Sequence, residues 1–222
     1  MRVIIVAGGA GARMKNTVPK QFMEIFGKPV LIHTLNIFAE TVEKCVPIVV
    51  MCNSYLRMWQ LLCDTHNFTL PHQIVEGGPT RFHSVKNGLN AISESEQGFV
   101  AIHDAVRPLV SRQTILNCLN GAIEHGCAIP TIDVVDSVRE LTTGQATRAL
   151  NRSSLRAVQT PQVFDVQLLK KAYKQEYTTE FTDCASVFES AGNTIYLTEG
   201  NIENIKITTP HDLKVAEALF NL

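Results

Sequence analysis

Short runs of β-branched residues alternate with amphipathic helical patterns from the N-terminus to Asp136. Residues 3–7 and 46–52 are continuous apolar runs, which are typical of strands buried on both faces of a parallel sheet. Further strands are predicted at residues 73–76, 99–103 and 128–132. Helices are predicted between them, at residues 31–42, 55–62, 82–92 and 115–126. This rhythm predicts a three-layer α/β/α sandwich around a mostly parallel, Rossmann-like sheet.

The rhythm breaks after Asp136, where residues 138–141 and 146–150 form a hairpin pattern around a turn. The hairpin is polar and has few candidate core residues, so we expect it to project from the body. A solvated surface flap and a dimerisation arm, taken as residues 137–160, both agree with this pattern.

The C-terminal third predicts helices at 166–177 and 183–191 and strands at 194–197 and 204–208. A last helix begins after Thr209, because a threonine cap followed by proline is a common helix start. No linker or internal repeat is found, so residues 1–222 are predicted to form a single domain.

Composition excludes several classes of protein. Hydrophobic residues make up 45% and charged residues 18% of the chain, which is typical of a globular protein. The formal net charge of −1 gives no basic field for nucleic acid. Six cysteines without a CxxC spacing indicate reduced thiols, and no apolar run reaches the length of a membrane span. We therefore expect a cytoplasmic protein without a nucleic-acid or membrane partner.

A glycine-rich segment, residues 8–14, directly follows the first predicted strand. Glycines at such a place let backbone N–H groups approach phosphate oxygens closely. The dinucleotide fingerprint GxGxxG fails at Met14, and a Walker A loop fails because Pro29 follows Gly27 and Lys28. A tight turn would give the same glycines, but Arg13 and the nearby Lys20 add cations that favour a phosphate site.

Three other segments carry candidate site residues. Asp104, at the end of a predicted strand, is of the type that holds Mg²⁺ against a triphosphate, and Arg107 of the type that binds a phosphate. A salt bridge between the two is the structural alternative. Residues 77–85 begin with two glycines and fit either a contact to a base or ribose or a simple turn. Lys206, on an apolar run, needs a counter-charge from a substrate phosphate or a structural carboxylate.

Taken in order, the motifs AGGxGxRM, PKQF, GGxxRxxSV, HDAxRP, NR before TPQ, TDxAS and NIKIT resemble the 2-C-methyl-D-erythritol 4-phosphate cytidylyltransferase family. The resemblance covers nearly the whole chain. It implies transfer of a cytidylyl group from CTP in non-mevalonate isoprenoid synthesis, with Mg²⁺ and a homodimer. Ribitol-5-phosphate cytidylyltransferases share many of these motifs, but residues 157–164 are more similar to the erythritol-phosphate enzymes.

The resemblance also implies roles for individual residues. Catalytic cations would be Arg13, Lys20, Arg152 and Lys206, and the Mg²⁺ ligand would be Asp104. The nucleotide pocket would include Gly8, Gly9, Gly77, Arg81 and Ser84. The acceptor pocket would include Asp104, Arg107, Ser137, Arg152, Thr160 and Thr182. The arm around Arg152 would reach a neighbouring subunit, so that the site is shared across a dimer.

The sequence departs from the family pattern at three positions. Pro79 stands where some members have an acidic residue, Ser137 replaces a threonine and Cys184 stands where an acidic residue is common. Two other classes of protein, a nucleotide-binding module and an oxidoreductase, fit the pattern less well. A non-catalytic nucleotide-binding module has little use for so many cations at an α-phosphate, and a nicotinamide oxidoreductase is disfavoured by Met14.

Overall fold

The structure is a computed structural model that describes residues 1–9, 18–142 and 146–220. Its strands are β1 (Arg2–Val6), β2 (Glu24–Ile25), β3 (Lys28–Pro29), β4 (Ile48–Met51), β5 (Gln73–Glu76), β6 (Phe99–Asp104), β7 (Cys127–Asp133), β8 (Arg139–Leu141), β9 (Thr147–Ala149), β10 (Arg156–Val158), β11 (Gln162–Asp165) and β12 (Leu197–Glu199). Its α-helices are α1 (Val30–Thr41), α2 (Leu56–Thr65), α3 (Arg81–Asn90), α4 (Arg112–His125), α5 (Val166–Ala172), α6 (Cys184–Ser190) and α7 (Pro210–Phe220).

One large sheet organises these elements, with the strand order β10-β7-β11-β6-β1-β4-β5 and with β12 paired to β7. Strand β1 is parallel to both β4 and β6, and β4 is parallel to β5. The inserted β11 is antiparallel to β6 and β7. Because β6 and β1 are neighbours although distant in sequence, the strand order reverses at β1, where open α/β sheets bind their ligands.

Helices cover both faces of the sheet, as the alternation of side chains along β1 shows. Val3 and Ile5 lie in a core cluster with residues of α1, α2 and α4. Ile4 lies in a second cluster with residues of α3, α5 and α6. Successive strand residues point to opposite faces, so an entirely apolar strand needs a helical layer on each side. The predicted three-layer sandwich with a mostly parallel sheet is confirmed.

A glycine and a side-chain hydrogen bond explain where two of the helices end and begin. Helix α4 ends, as predicted, at Gly126, whose φ of 82° is a left-handed conformation that costs glycine little. Helix α7 begins at the predicted cap, since Asp212 Oδ2 accepts from the backbone N–H groups of Thr208 and Thr209. No helix in the described residues is both long and apolar enough to cross a lipid bilayer.

The prediction of a strand at residues 204–208 is wrong, because this segment lies outside the sheet. Ile207 N–H donates to the Val106 carbonyl, while Thr208 N–H is taken by the Asp212 side chain. The segment therefore lies beside the residues that follow β6, but it forms no ladder of backbone hydrogen bonds with them. The predicted strand at 194–197 begins only at Leu197.

The predicted helix at 166–177 ends earlier, at Ala172, where the Gln175 side chain donates to the Ala172 carbonyl. The sequence pattern does not indicate strand β11, because only Val163 and Phe164 are apolar in it. Its first residue, Gln162, is buried and binds the start of α6 through its side chain.

The polar hairpin is confirmed as β8 paired with β9, a separate two-stranded sheet whose residues are all exposed. Its turn, residues 143–145, lies outside the described residues. The single domain spanning residues 1–222 and the use of 137–160 in dimerisation stay predictions.

Candidate active site

Three of the predicted segments meet at the carboxyl edge of the sheet. Gly8 follows β1, Gly77 follows β5 and Asp104 ends β6. Gly8 and Asp104 line a cavity of about 390 Å³, together with Gly78, the residue that follows Gly77. The residues that line it are Val6, Ala7, Gly8, Gly9, Lys20, Gln21, Gly78, Pro79, Thr80, Arg81, Ser84, Asp104, Ala105, Val106 and Lys206.

Glycine backbone and the Ser84 hydroxyl form one wall of the cavity. Gly78 N–H donates to Ser84 Oγ at 3.1 Å, which fixes the turn after β5 against the first turn of α3. A side-chain carbon on Gly77 would lie 3.3 Å from Ser84 Oγ, and one on Gly8 would lie 3.6 Å from the same oxygen. Because these residues are small, a base or ribose can approach the backbone on this side of the cavity.

Lys20 lines the cavity from a short 3₁₀ helix, residues Lys20–Phe22. A side-chain carbon on Gly9 would lie 3.8 Å from Lys20 Cε, so the lysine stem lies beside the glycine loop. The neighbouring Gln21 is buried, and its amide donates to the Ala7 carbonyl at 2.7 Å. The motif PKQF thus contains an anchoring residue, Gln21, that sequence reasoning did not single out. Arg13 lies outside the described residues.

Asp104 is a buried carboxylate that contacts three cations. Its oxygens lie 2.7 Å from Lys206 Nζ, 3.4 Å from Arg81 Nη2 and 4.0 Å from Arg107 Nε. Burial alone would raise the pKa of the Asp104 carboxyl, but the three cations outweigh burial and hold that pKa well below its usual range. With one negative and three positive charges, the cluster favours a further anion in the cavity.

Arg107 and Thr160 are turned toward protein groups. Arg107 Nη1 donates to the Asn204 carbonyl at 2.6 Å. Thr160 Oγ1 accepts from Asp104 N–H at 3.1 Å and lies 3.1 Å from His103 Nδ1. Neither residue lines the cavity, and in this conformation both hold in place the chain around Asp104, at the end of β6. Their predicted contact with the acceptor phosphate stays a prediction.

The tautomer of His103 follows from these contacts. Its Nε2 lies 3.0 Å from the Arg107 carbonyl, which can only accept, so Nε2 carries the proton. Nδ1 then accepts from the Thr160 hydroxyl. Burial lowers the pKa of His103 to about 4, and the ring is neutral at neutral pH.

We expect this buried histidine to make stability depend on pH. Unfolded chains bind a proton at His103 near pH 6.5, while the folded chain does so only near pH 4, so stability falls as pH drops through this window. Between about pH 7.5 and about pH 5 the loss should be about 2 kcal/mol. Urea unfolding at both pH values checks this by comparing the parent chain with His103→Gln.

His103→Gln cannot titrate, so it should lose less stability than the parent over the same interval. The matched control is His211→Gln, which changes an exposed histidine on α7 and should keep the parental slope. Equal slopes for His103→Gln and the parent would contradict the assignment.

Ser137, Arg152 and Thr182 lie elsewhere in the chain. All three are exposed, and none lines this cavity. The Arg152 side chain donates to the Val135 carbonyl at the base of the hairpin. The structure therefore does not bring these three residues to the cations around Asp104 within one chain.

The side chains around the cavity fit Mg²⁺ only if the ion binds together with a triphosphate that supplies most of its ligands. In the described part of the chain, no group of three or more His, Cys, Asp or Glu side chains could hold a metal. Mg²⁺ commonly binds one or two carboxylates and takes its other ligands from water and substrate phosphates. Asp104 supplies one such carboxylate at the cavity.

A mostly parallel sheet with a glycine-walled, cation-rich cavity at its switch point is the arrangement expected of an α/β nucleotidyltransferase. The family described as 2-C-methyl-D-erythritol 4-phosphate cytidylyltransferase matches residues 1–221. The chain belongs to this family.

Similar proteins agree with the assignment. The enzyme of that name from Bacteroides fragilis is 52% identical over 97% of both chains, and that from Geobacillus kaustophilus is 37% identical over 97% of this chain and 95% of its own. Among solved structures, 4-diphosphocytidyl-2C-methyl-D-erythritol synthase from Anaerococcus prevotii superposes with a TM-score of 0.84 at 26% identity, covering 100% of this chain and 98% of its own. The cytidylyltransferase from Thermus thermophilus gives 0.80 at 30% identity, with the same coverage.

Proposed function

We propose that this chain transfers the cytidylyl group of CTP to 2-C-methyl-D-erythritol 4-phosphate, releasing pyrophosphate and forming 4-diphosphocytidyl-2-C-methyl-D-erythritol. Family membership over residues 1–221 supports this reaction. The structural observation that carries it is the group of cations, Lys20, Arg81 and Lys206, around a glycine-walled cavity. Such a cavity suits a nucleoside triphosphate, which presents a base to the glycines and charge to the cations.

In the proposed step, a phosphate oxygen of the acceptor attacks the α-phosphorus of CTP, and the bond to the bridging oxygen of pyrophosphate breaks. The attacking oxygen is already ionised at neutral pH, so the step needs no general base. Catalysis then consists of positioning and of neutralising charge. Lys20, Lys206 and Arg13 are the groups we assign to that charge.

We also propose that Mg²⁺ acts with CTP. Asp104 would hold the ion, which supplies further positive charge to the triphosphate oxygens. Lys206, 2.7 Å from the same carboxylate, would turn toward the phosphates as the carboxylate takes the metal. The free thiols of all six cysteines support a reducing compartment, and we propose the cytoplasm.

The acceptor pocket is proposed to be completed by a second copy of the chain. Ser137 and Arg152 are exposed and away from the cavity of their own subunit. The hairpin that precedes Arg152 is exposed on both strands, with Leu141 83% exposed. A homodimer that exchanges these arms would bring Arg152 to the neighbour's Asp104 cluster.

Mixing two inactive variants should restore activity if the site is shared in this way. A dimer of Lys20→Ala with Arg152→Ala has one site that lacks both side chains and one site that keeps both. Random assembly should then recover up to about a quarter of the parental rate. Pyrophosphate release from co-expressed variants is the measurement.

Lys20→Ala mixed with Asp104→Asn is the control for complementation. Both residues line the cavity of one chain, so this pair should recover nothing. Absence of recovery in the first mixture, despite a dimer in light scattering, would remove Arg152 from a shared site.

The proposed reaction is tested by following pyrophosphate release from purified protein with CTP, Mg²⁺ and each acceptor in turn. We expect turnover with methylerythritol phosphate and much less with ribitol 5-phosphate. A preference for ribitol 5-phosphate would reassign the acceptor. Binding of CTP without pyrophosphate release from any acceptor would indicate a nucleotide-binding module. Omitting Mg²⁺ in the presence of a chelator tests the metal.

A further inference from the structure

The Arg81 guanidinium is held between a carboxylate and a thiol. Its Nη2 lies 3.4 Å from Asp104 Oδ1, and its Nη1 donates to Cys184 Sγ at 3.2 Å. The hydroxyl of Tyr173 donates to the same sulfur, also at 3.2 Å. Cys184 is completely buried, so the sulfur has these protein donors around it and no contact with bulk water.

The position of Cys184 is fixed by the backbone around it. Cys184 is the first residue of α6, and its N–H donates to Gln162 Oε1 at 3.1 Å. The Gln162 amide in turn donates to Asp183 Oδ2 at 2.7 Å. The sulfur is therefore held on β11 and α6, and Arg81 is anchored to two rigid elements of the fold.

The sulfur differs from a carboxylate in charge. Burial raises the pKa of the Cys184 thiol, so it stays protonated at neutral pH and accepts from Arg81 without neutralising it. Asp104 is shared with Lys206 and Arg107 as well. Pro79, which lines the cavity, also carries no charge.

We propose that Cys184 is a positioning residue for the nucleotide: its uncharged sulfur fixes the Arg81 guanidinium at the cavity wall and leaves the positive charge available to the phosphates of CTP. The inference rests on the proposed function, because it assigns a ligand to the same cavity. It explains why a buried thiol occupies the start of α6, since a carboxylate there would pair with Arg81 and lower the positive charge of the site.

Cys184→Asp tests the proposal directly. A carboxylate at the first position of a helix is favourable for the helix, so we expect the variant to fold. CTP should bind about tenfold more weakly by calorimetry, because the new charge neutralises Arg81. Uncharged cytidine, followed by NMR titration, should bind as in the parent. Cys184→Ser keeps an uncharged acceptor and should stay within about threefold of the parental affinity for CTP.

A structural role alone would give a different pattern, because a distorted cavity weakens cytidine and CTP together. Equal losses for both ligands, or unchanged CTP affinity in Cys184→Asp, would overturn the proposal. If circular dichroism shows Cys184→Asp to be unfolded, Cys184→Ala replaces it. Loss of the acceptor should then weaken CTP severalfold and leave cytidine unchanged, and equal losses would again overturn the proposal.

A double-variant cycle with Arg81→Met identifies the residue through which Cys184 acts. In the Arg81→Met background, Cys184→Asp should have no further effect on CTP affinity. Full additivity of the two effects would contradict the inference. Failure of the proposed function is distinguishable, because it appears as absent pyrophosphate release in the parent protein, whatever the binding data for the variants.

Discussion

Lys20→Ala should lower the turnover number for pyrophosphate release by about a hundredfold or more. Losing one preorganised charge contact to a transition state costs about 3 kcal/mol, which corresponds to this factor. Lys20 reaches the cavity beside Gly9, while the backbone that carries it is anchored through Gln21 and the Ala7 carbonyl. The fold should therefore survive the substitution, and rapid-quench kinetics with saturating CTP would measure the loss.

Lys28→Ala is the matched control for Lys20→Ala. Lys28 is an exposed lysine on β3 that does not line the nucleotide cavity. Its removal changes net charge by the same amount and should leave turnover near the parental value. Near-parental turnover in Lys20→Ala, with the fold intact, would remove Lys20 from the proposed mechanism.

Asp104→Asn should lower both stability and turnover. Asparagine keeps the shape of the side chain but leaves Arg81, Arg107 and Lys206 close together without their carboxylate. Breaking a buried ion pair on one side costs about 3–5 kcal/mol. We expect a loss of stability near the lower end of this range, because Lys206 is 41% exposed and water screens its interaction with the carboxylate. Thermal unfolding should shift down by roughly 10 °C.

The stability lost in Asp104→Asn should be large at neutral pH and small in acid. The folded-state pKa of Asp104 lies below its ordinary value, so its contribution is fully present above about pH 4 and disappears as pH falls toward the folded pKa. The parent and Asp104→Asn should therefore differ most near neutral pH and converge in acid. Turnover should fall by about a hundredfold, since the carboxylate also positions Lys206 and Arg81.

Asp133→Asn is the control for Asp104→Asn. Asp133 pairs with Arg156 at 3.3 Å, but its side chain is 82% exposed, and such pairs contribute little. Its removal should leave stability within about 0.5 kcal/mol of the parent. An Asp104→Asn protein as stable as Asp133→Asn would contradict the electrostatic role assigned to the cluster.

The sequence determined the parallel strands β1, β4, β5 and β6, the helical layers that cover them and the identity of the cavity-forming segments. Runs such as residues 3–7 have no polar residue, and only a strand with a helix layer on each face can bury them. Glycines after β1 and β5 and the aspartate at the end of β6 then fall at one edge, because parallel strands share the direction of their carboxyl ends. Strand β11 could not be predicted, since Gln162 is buried for its hydrogen bonds to α6.

Only the tertiary structure decided what each charged residue contacts. Asp104, Arg81 and Lys206 are distant in sequence, so no local pattern could show that one carboxylate faces three cations. The same holds for Arg107 and Thr160, which the structure directs to the Asn204 carbonyl and the Asp104 amide. In the sequence, Cys184 is only a departure from a motif. The packing of α6 against β11 places its sulfur beside Arg81. Periodicity along a chain reports burial, whereas electrostatic partners depend on distances that folding alone creates.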